Sequence, residues 1–329
     1  MAVLVTGGAG YIGSHTVRAL REAGRDVVVF DSLEFGHREA VPGVPFVQGD
    51  IAHAELIADT IKKHSIDAII HFAAYKAAGE SMEQPSRYFD NNVTKGHALL
   101  KAARDAGVRK VVFSSTAAVY GTPETVPVDE SAALHPENPY GESKLMFEKI
   151  LQWFDRCHDV RSVSLRYFNA AGASMEGGLG EDWTVTLNLV PIVMKSALER
   201  RGPVEVFGTD YPTPDGTGIR DYIHVDDLAA AHLLALDYLD RDGETTAINL
   251  GTGIGSSVRE VLDTTSRISG VRVPQIISPR RPGDPSRVFA DNTRAREVLG
   301  WMPVYGLEEI IQSAWTWHST HIDGFANQA

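Results

Sequence analysis

The chain has 329 residues, 43% of them hydrophobic and 22% charged, enough to bury a large core in one big domain or two joined ones. A formal net charge of −12 argues against a phosphate-backbone partner, which calls for a basic face, so no nucleic acid is expected. The lone Cys157 excludes an intramolecular disulfide, histidines such as His53, His64 and His71 show no metal-ligand spacing, and no apolar run is long enough for a membrane span, so neither metal nor membrane is expected.

Met1-Ala-Val-Leu-Val-Thr6 runs directly into a strand-like segment without a basic or long apolar leader, which reads as a cytoplasmic protein. Strand-length apolar runs recur at Ala2–Thr6, Val27–Phe30, Phe46–Gln48, Ala68–His71, Val111–Ser114 and Val163–Arg166. Stretches of helical period separate them: Gly13–Glu22, Ala54–His64, Asn92–Asp105 and Tyr140–Cys157. Strands alternating with helices predict an α/β fold, a doubly wound parallel sheet of Rossmann-like type. Residues 1–170 form the expected nucleotide-binding domain, and Ile248–Leu250 reads as a strand returning to it within a segment near 219–252. A smaller α+β substrate domain is expected from 171–218, with a helix around Leu189–Arg200, and from 253–317. Residues 318–329 are expected as a tail whose end, Ser319–Ala329, is frayed.

Three stretches carry chemistry. Thr6-Gly7-Gly8-Ala9-Gly10-Tyr11-Ile12-Gly13 ends the first strand and opens a helix, a G-x-x-G-x-x-G variant of the dinucleotide loop. Its glycines permit a tight turn and close backbone approach, with the helix N-terminus facing a pyrophosphate. Asp31 closes the second strand 18 residues after Gly13, where a carboxylate accepts from ribose hydroxyls and repels a 2′-phosphate; NAD is therefore favoured over NADP. Downstream, an apolar strand ends in three hydroxyls, Ser114, Ser115 and Thr116, and Tyr140 and Lys144 stand four apart on one helical face. A phenol near pKa 10 becomes a useful base only when nearby positive charge favours its phenolate.

In this order the stretches resemble the extended short-chain dehydrogenase/reductase superfamily and, within it, the UDP-galactose 4-epimerase family. The resemblance runs from Val3 to about Trp317 and is carried by Val5–His15, Gly49-Asp50-Ile51, His71-Phe72-Ala73-Ala74, Asp90-Asn91-Asn92-Val93, Arg166-Tyr167-Phe168-Asn169, Gly218–Val225 and Leu299-Gly300-Trp301. It implies an isomerase in which bound NAD takes and returns a C4 hydride of a UDP-hexose. Tyr140 is then the base and acid for the O4 proton, Lys144 tunes it and holds the nicotinamide ribose, and Thr116 bridges O4. Around the cofactor the resemblance places Gly7, Gly10, Gly13, Tyr11 and Ile12 at the pyrophosphate and Asp31 on the adenosine ribose. Asp50 and Ile51 would lie beside adenine, Phe72, Ala73, Lys76 and Asn91 along the groove, and Tyr167 and Phe168 at the nicotinamide. Around the substrate it places Asn169 and Asn188 at the diphosphate or sugar, Arg220 and Arg281 at the diphosphate, Asp284 on ribose hydroxyls and Phe207 near uracil.

Ala117 and Ala118 stand where sugar-nucleotide dehydratases typically carry Asp-Glu, which counts against elimination chemistry. A UDP-glucuronate 4-epimerase and a non-catalytic NAD-binding sensor remain as alternatives. Val288, where the family often has a bulky Tyr, suggests room for UDP-GlcNAc and UDP-GalNAc as a side activity. Relatives are usually homodimers through two helices, here expected near Asn92–Ala106 and Tyr140–Cys157, although Leu99, Leu100, Leu145, Phe147 and Ile150 read equally well as core.

Overall fold

Val3, Leu4 and Val5 are fully enclosed, which a strand achieves only where both faces of its sheet are covered. The computed structural model describes residues 2–183, 187–281 and 283–325. Its first half runs β1 (Ala2–Thr6), α1 (Tyr11–Glu22), β2 (Asp26–Asp31), β3 (Phe46–Gln48), α2 (Ala54–His64), β4 (Ile66–His71), the short α3 (Ala78–Glu83) and α4 (Pro85–Tyr88), α5 (Gly96–Asp105), β5 (Lys110–Ser114), α6 (Pro139–His158) and β6 (Arg161–Tyr167). Its second half runs β7 (Asn169–Ala171), α7 (Leu189–Ala197), β8 (Val204–Phe207), β9 (Ile219–Arg220), β10 (Tyr222–His224), α8 (Val225–Asp240), β11 (Thr246–Leu250), β12 (Ser256–Ser257), α9 (Val258–Ser269), β13 (Gln275–Ser278), β14 (Arg287–Val288) and α10 (Leu307–Thr320).

Seven strands make one sheet in the order β11-β6-β5-β4-β1-β2-β3, every neighbouring pair parallel. Val3 lies between Val27 and Ala68 on one face and Leu4 between Val28 and Ile69 on the other, so aliphatic side chains line both faces. The strand order reverses between β1 and β4, and in open α/β sheets ligands bind beyond the carboxyl ends of the strands at such a point. Thr6 and His71 end those two strands, and the Thr6 hydroxyl meets His71 Nδ1 at 2.7 Å. The α/β doubly wound expectation is met, and β11 does return to the sheet.

Beyond β6 the small sheets are β7 with β10, β8 with β13, and β9 between β12 and β14. A second apolar cluster gathers Val190, Val193 and Met194 of α7, Val204 and Val206 of β8, Val261 and Leu262 of α9, and Ile310 and Ile311 of α10.

Several element bounds differ from expectation. Helix α1 starts at Tyr11, because Gly10 is already its extended N-cap at φ −81° and ψ 176°. The helix expected over Asn92–Asp105 opens with a π-helical stretch, Phe89–Lys95. Inside that stretch the Asn92 side chain accepts from Tyr75 N at 2.9 Å and donates to Ser143 Oγ at 3.0 Å, directed into the protein. The helix read to Arg200 stops at Ala197, and Glu199 takes the left-handed φ of 56°. At the carboxyl end, where fraying was expected, α10 continues to Thr320 and Phe325 is buried against Trp317; residues 326–329 of the expected tail lie outside the described residues. Leu99, Leu100, Leu145 and Phe147 are core, whereas Met146 and Trp153 of α6 are exposed.

Candidate functional site

The glycine turn is shaped by backbone crowding. Gly7 has a φ of +71°, and a Cβ there would lie 2.6 Å from Ala73 N. A Cβ on Gly13 would run into the Gly7 carbonyl, so this corner admits backbone alone. Gly10 gives α1 no side-chain cap, which leaves the first-turn N–H groups at Tyr11 and Ile12 open toward an anion. The Asp31 carboxylate, buried at the end of β2, accepts from Ala9 N at 2.9 Å and Leu33 N at 2.8 Å. Burial raises its pKa, and those backbone donors work against the rise.

Other cofactor candidates follow the carboxyl ends of β3 and β4. Phe72 N and Ala73 N donate to the Thr6 carbonyl at 2.8 and 3.1 Å. Partial burial works to raise the Asp50 carboxyl, but the Lys95 ammonium 2.5 Å away outweighs it and holds the group low; Ile51 beside it is core. Lys76 pairs with the buried Glu181 at 3.4 Å, Asn91 donates to Asn92 Oδ1 at 3.1 Å, and the Tyr11 hydroxyl crosses the chain to donate to the Gly172 carbonyl at 2.6 Å.

At the end of β5, Thr116 takes an extended backbone, caps a 3₁₀ turn and accepts from Ala118 N at 3.1 Å. Across from it Asn138 caps α6 through Gly141 N at 2.9 Å, with Pro139 at the helix start, which fixes the half-buried Tyr140 in the first turn. Burial raises the Tyr140 phenol, and the Thr116 hydroxyl pulls it back. Lys144, one turn on, is 3% exposed, and its ammonium donates to the Ser114 carbonyl at 2.8 Å and lies 4.8 Å from the centre of the Phe113 ring. Burial pushes it down to about 7, with Glu148 opposing. The Tyr167 hydroxyl hydrogen-bonds Ser114 Oγ, and Phe168 packs beside Val119, Tyr120, Val128 and Leu145.

Among the sugar-nucleotide candidates, four converge. Asp284 pairs with Arg220 and lies 3.6 Å from Arg281, whose guanidinium sits 4.3 Å over the Phe207 ring. Asn169 spends its side-chain N–H on the Asp221 carbonyl at 2.9 Å, and Asn188 is the half-buried N-cap residue of α7, making no side-chain cap bond.

Residues 3–251 match the model of the NAD dependent epimerase/dehydratase family. The chain belongs to that family. It is 47% identical to the UDP-glucose 4-epimerase of Lacticaseibacillus casei over the whole of both chains. Its fold is similar to that of the UDP-glucose 4-epimerase from Brucella ovis in complex with NAD, at a TM-score of 0.94 and 46% identity, covering 96% of this chain and 97% of that one. The enzyme from Bifidobacterium longum in complex with NAD+ and UDP gives a TM-score of 0.92 at 40% identity, over 99% and 100% of the two chains.

The crevice of this epimerase-family chain fits a dinucleotide on three counts: an uncapped helix end, a glycine corner that admits only backbone, and a buried carboxylate at the end of β2. Among the described residues no cluster of three His, Cys, Asp or Glu is placed to hold a metal, and no helix is long and apolar enough to cross a membrane. Sequence reasoning passed over Asn92, Glu181 and Glu148. For Glu148 a signal was available: it continues the Tyr140, Lys144 row by one more turn, on the same face of the helix.

Proposed function

We propose that the chain interconverts UDP-galactose and UDP-glucose by inverting C4, with NAD held in the glycine-loop crevice. The observation that carries this reading is the meeting of Tyr140 with Thr116 beyond the carboxyl end of β5, together with the separate gathering of Arg220, Arg281, Asp284 and Phe207. NAD, when bound there, would supply a two-electron acceptor and donor for the C4 hydride.

The protein's own part is proton handling and grip. The Tyr140 oxygen takes the O4 proton as the C4–O4 bond becomes a carbonyl, and gives it back when the hydride returns to the opposite face. Thr116 donates to or accepts from O4 and keeps it against the phenol. A buried phenol is a weak base, so its ionisation needs positive charge, which the Lys144 ammonium provides one helical turn away. Arg220 and Arg281 face the UDP diphosphate, for which a planar donor fork is suited, while Phe207 stacks near the base and Asp284, Asn169 and Asn188 take hydroxyl or phosphate oxygens. The chain divides, on this reading, into the sheet with its helices as the cofactor unit and the second apolar cluster as the substrate unit.

Val288 on β14 pairs with Arg220 on β9, and a side chain smaller than tyrosine at that place supports UDP-GlcNAc and UDP-GalNAc as proposed side substrates. Exposed Met146 and Trp153 on α6 are proposed to lie in a homodimer contact. A cytoplasmic location is proposed with the same reading. Proton NMR of the protein mixed with UDP-galactose tests the whole: growth of the UDP-glucose anomeric signal is expected, and none, even with NAD added, sends the reading to UDP-glucuronate.

A further inference from the structure

Beneath the hydroxyl turn lies a buried polar chain with no part in the steps above. Glu148 is 2% and Arg166 3% exposed. Glu148 accepts from Arg166 Nε at 3.0 Å and from Arg166 Nη2 at 2.5 Å, and also from Ser115 Oγ at 2.5 Å. Arg166 Nη1 donates to the Tyr120 hydroxyl at 2.9 Å, Tyr120 donates to Asn249 Oδ1 at 2.7 Å, and Asn249 donates to the Val128 carbonyl at 2.9 Å. One carboxylate therefore joins α6 to β6, to the turn after β5 and, through Tyr120, to β11.

Burying an ion pair takes both charges out of water, and apolar residues of the same volume often serve stability as well. Its place here coincides with the reacting groups. Ser115, which Glu148 holds, is the neighbour of Thr116 and follows Ser114, whose carbonyl takes the Lys144 ammonium. Lys144 lies one turn before Glu148 on α6, and four-residue spacing puts the two on one face. Of the ionisable groups on the elements packed here, Tyr140 lies on the same helix, His71 from β4 acts on the ammonium, and Arg166 and Tyr167 end β6, meeting Glu148 and Ser114 respectively. His71 is neutral, Arg166 is bound to Glu148, and both phenols are held protonated by burial. Glu148 is then the negative charge that favours a protonated Lys144, and it is the one opposing influence on the amine that burial pushes down to about 7.

We propose that Glu148 is a positioning residue for the reaction: through Ser115 it fixes the strand end that carries Thr116, and through its charge it keeps Lys144 an ammonium beside Tyr140. This role rests on the epimerase reading above. It makes Y-x-x-x-K-x-x-x-E, from Tyr140 to Glu148, the working row of α6.

The test titrates Lys144 directly, without turnover, by the Cε and Nζ NMR shifts of the full-length protein carrying labelled lysine, with the signal assigned from Lys144→Arg. Wild type is expected to titrate near neutrality. In Glu148→Gln the midpoint moves down by half a pH unit or more, and the alkaline limb of kcat for UDP-galactose moves with it while KM stays within twofold. If the single variant does not fold, Glu148→Gln with Arg166→Gln leaves no unpaired buried charge and should move the midpoint the same way. A midpoint that stays put in the folded variant, with activity lowered evenly at every pH, reduces Glu148 to a structural brace and overturns the proposal. Absence of wild-type turnover with a shifted midpoint would instead strike the epimerase reading.

Discussion

Mild acid is the sharpest perturbation this fold offers. His15, His71, His224, His232 and His318 are all buried within the protein. Burial pushes His15, His71 and His318 down to about 3, and His224 and His232 down to about 4. His232 Nε2 and His318 Nδ1 have no hydrogen-bond partner among the described residues, so an added proton there gains no hydrogen bond, and burial outweighs the Asp182 charge that favours one on His318. In the unfolded chain each imidazole returns to about 6.5. Folded values below unfolded ones mean that the unfolded chain binds the extra protons; the stability is complete above pH 6.5 and is lost as pH falls. Since every folded value lies well under pH 6, the loss down to that pH depends on the unfolded value alone. It is about 0.8 kcal/mol per histidine between pH 8 and 6, and about 4 kcal/mol for the five.

Lys144 and Asp227 adjust the total, and the buried carboxyls of Asp31, Glu130, Glu181 and Asp221, all raised by burial, act in the same direction as Asp227. Lys144, held at about 7, adds about 1.4 kcal/mol of loss in the same window, because its unfolded amine stays charged throughout. Asp227 has the opposite sign: burial lifts it to about 6, the native state takes up the proton, and about 0.4 kcal/mol is recovered at pH 6. The net, about 5 kcal/mol, is a large part of the roughly 5–15 kcal/mol that holds a domain together. Urea unfolding followed by far-ultraviolet circular dichroism at pH 8, 7 and 6 should show this fall, steepest below pH 7 and at constant m-value. A change under about 1.5 kcal/mol across the window would refute the account of these histidines as enforced neutral groups.

Tyr140→Phe is expected to keep the fold and lose turnover by a factor of about 10² or more, read by the same proton NMR assay. Gly13→Ala drives a methyl into the Gly7 carbonyl; a loss of about 1–3 kcal/mol in urea unfolding and weakened NAD binding by fluorescence titration are expected. Val288→Tyr should lower turnover of UDP-GlcNAc about tenfold or more while UDP-galactose turnover changes little, checked by initial rates on both sugars. Trp153→Glu puts a charge on the exposed face of α6 and tests the proposed homodimer contact there: elution in size-exclusion chromatography is expected to move from a dimer's volume to a monomer's, and wild type eluting as a monomer would overturn that contact.

The sheet was legible in the sequence because β1, β2, β4 and β5 are valine- and isoleucine-rich runs buried on both faces, a pattern that no partner is needed to interpret. The glycine turn and the Tyr140, Lys144 spacing were legible for a similar reason, since each is a local constraint of one turn or one helix. Pairings across the fold were not. Arg220 and Arg281 both answer to Asp284, Asn169 to the Asp221 carbonyl, and Arg166 to Glu148, and such bonds exist only once distant segments have been packed together. The π-helical widening before Gly96 was equally hidden, because it follows from where Asn92 finds its partners and not from helical propensity.

The place of β11 at the edge of the sheet, beside β6, bears on how the chain comes off the ribosome. When Arg161–Tyr167 has been synthesised, the strand that will cover it, Thr246–Leu250, has yet to be made, and the whole of β7 to α8 must emerge first. Throughout that interval β6 presents open N–H and C=O groups, the kind of edge that templates association with other unfinished chains. Nascent chains arrested between β6 and β11 should therefore aggregate more readily than chains in which β11 has been released and has covered the edge of β6.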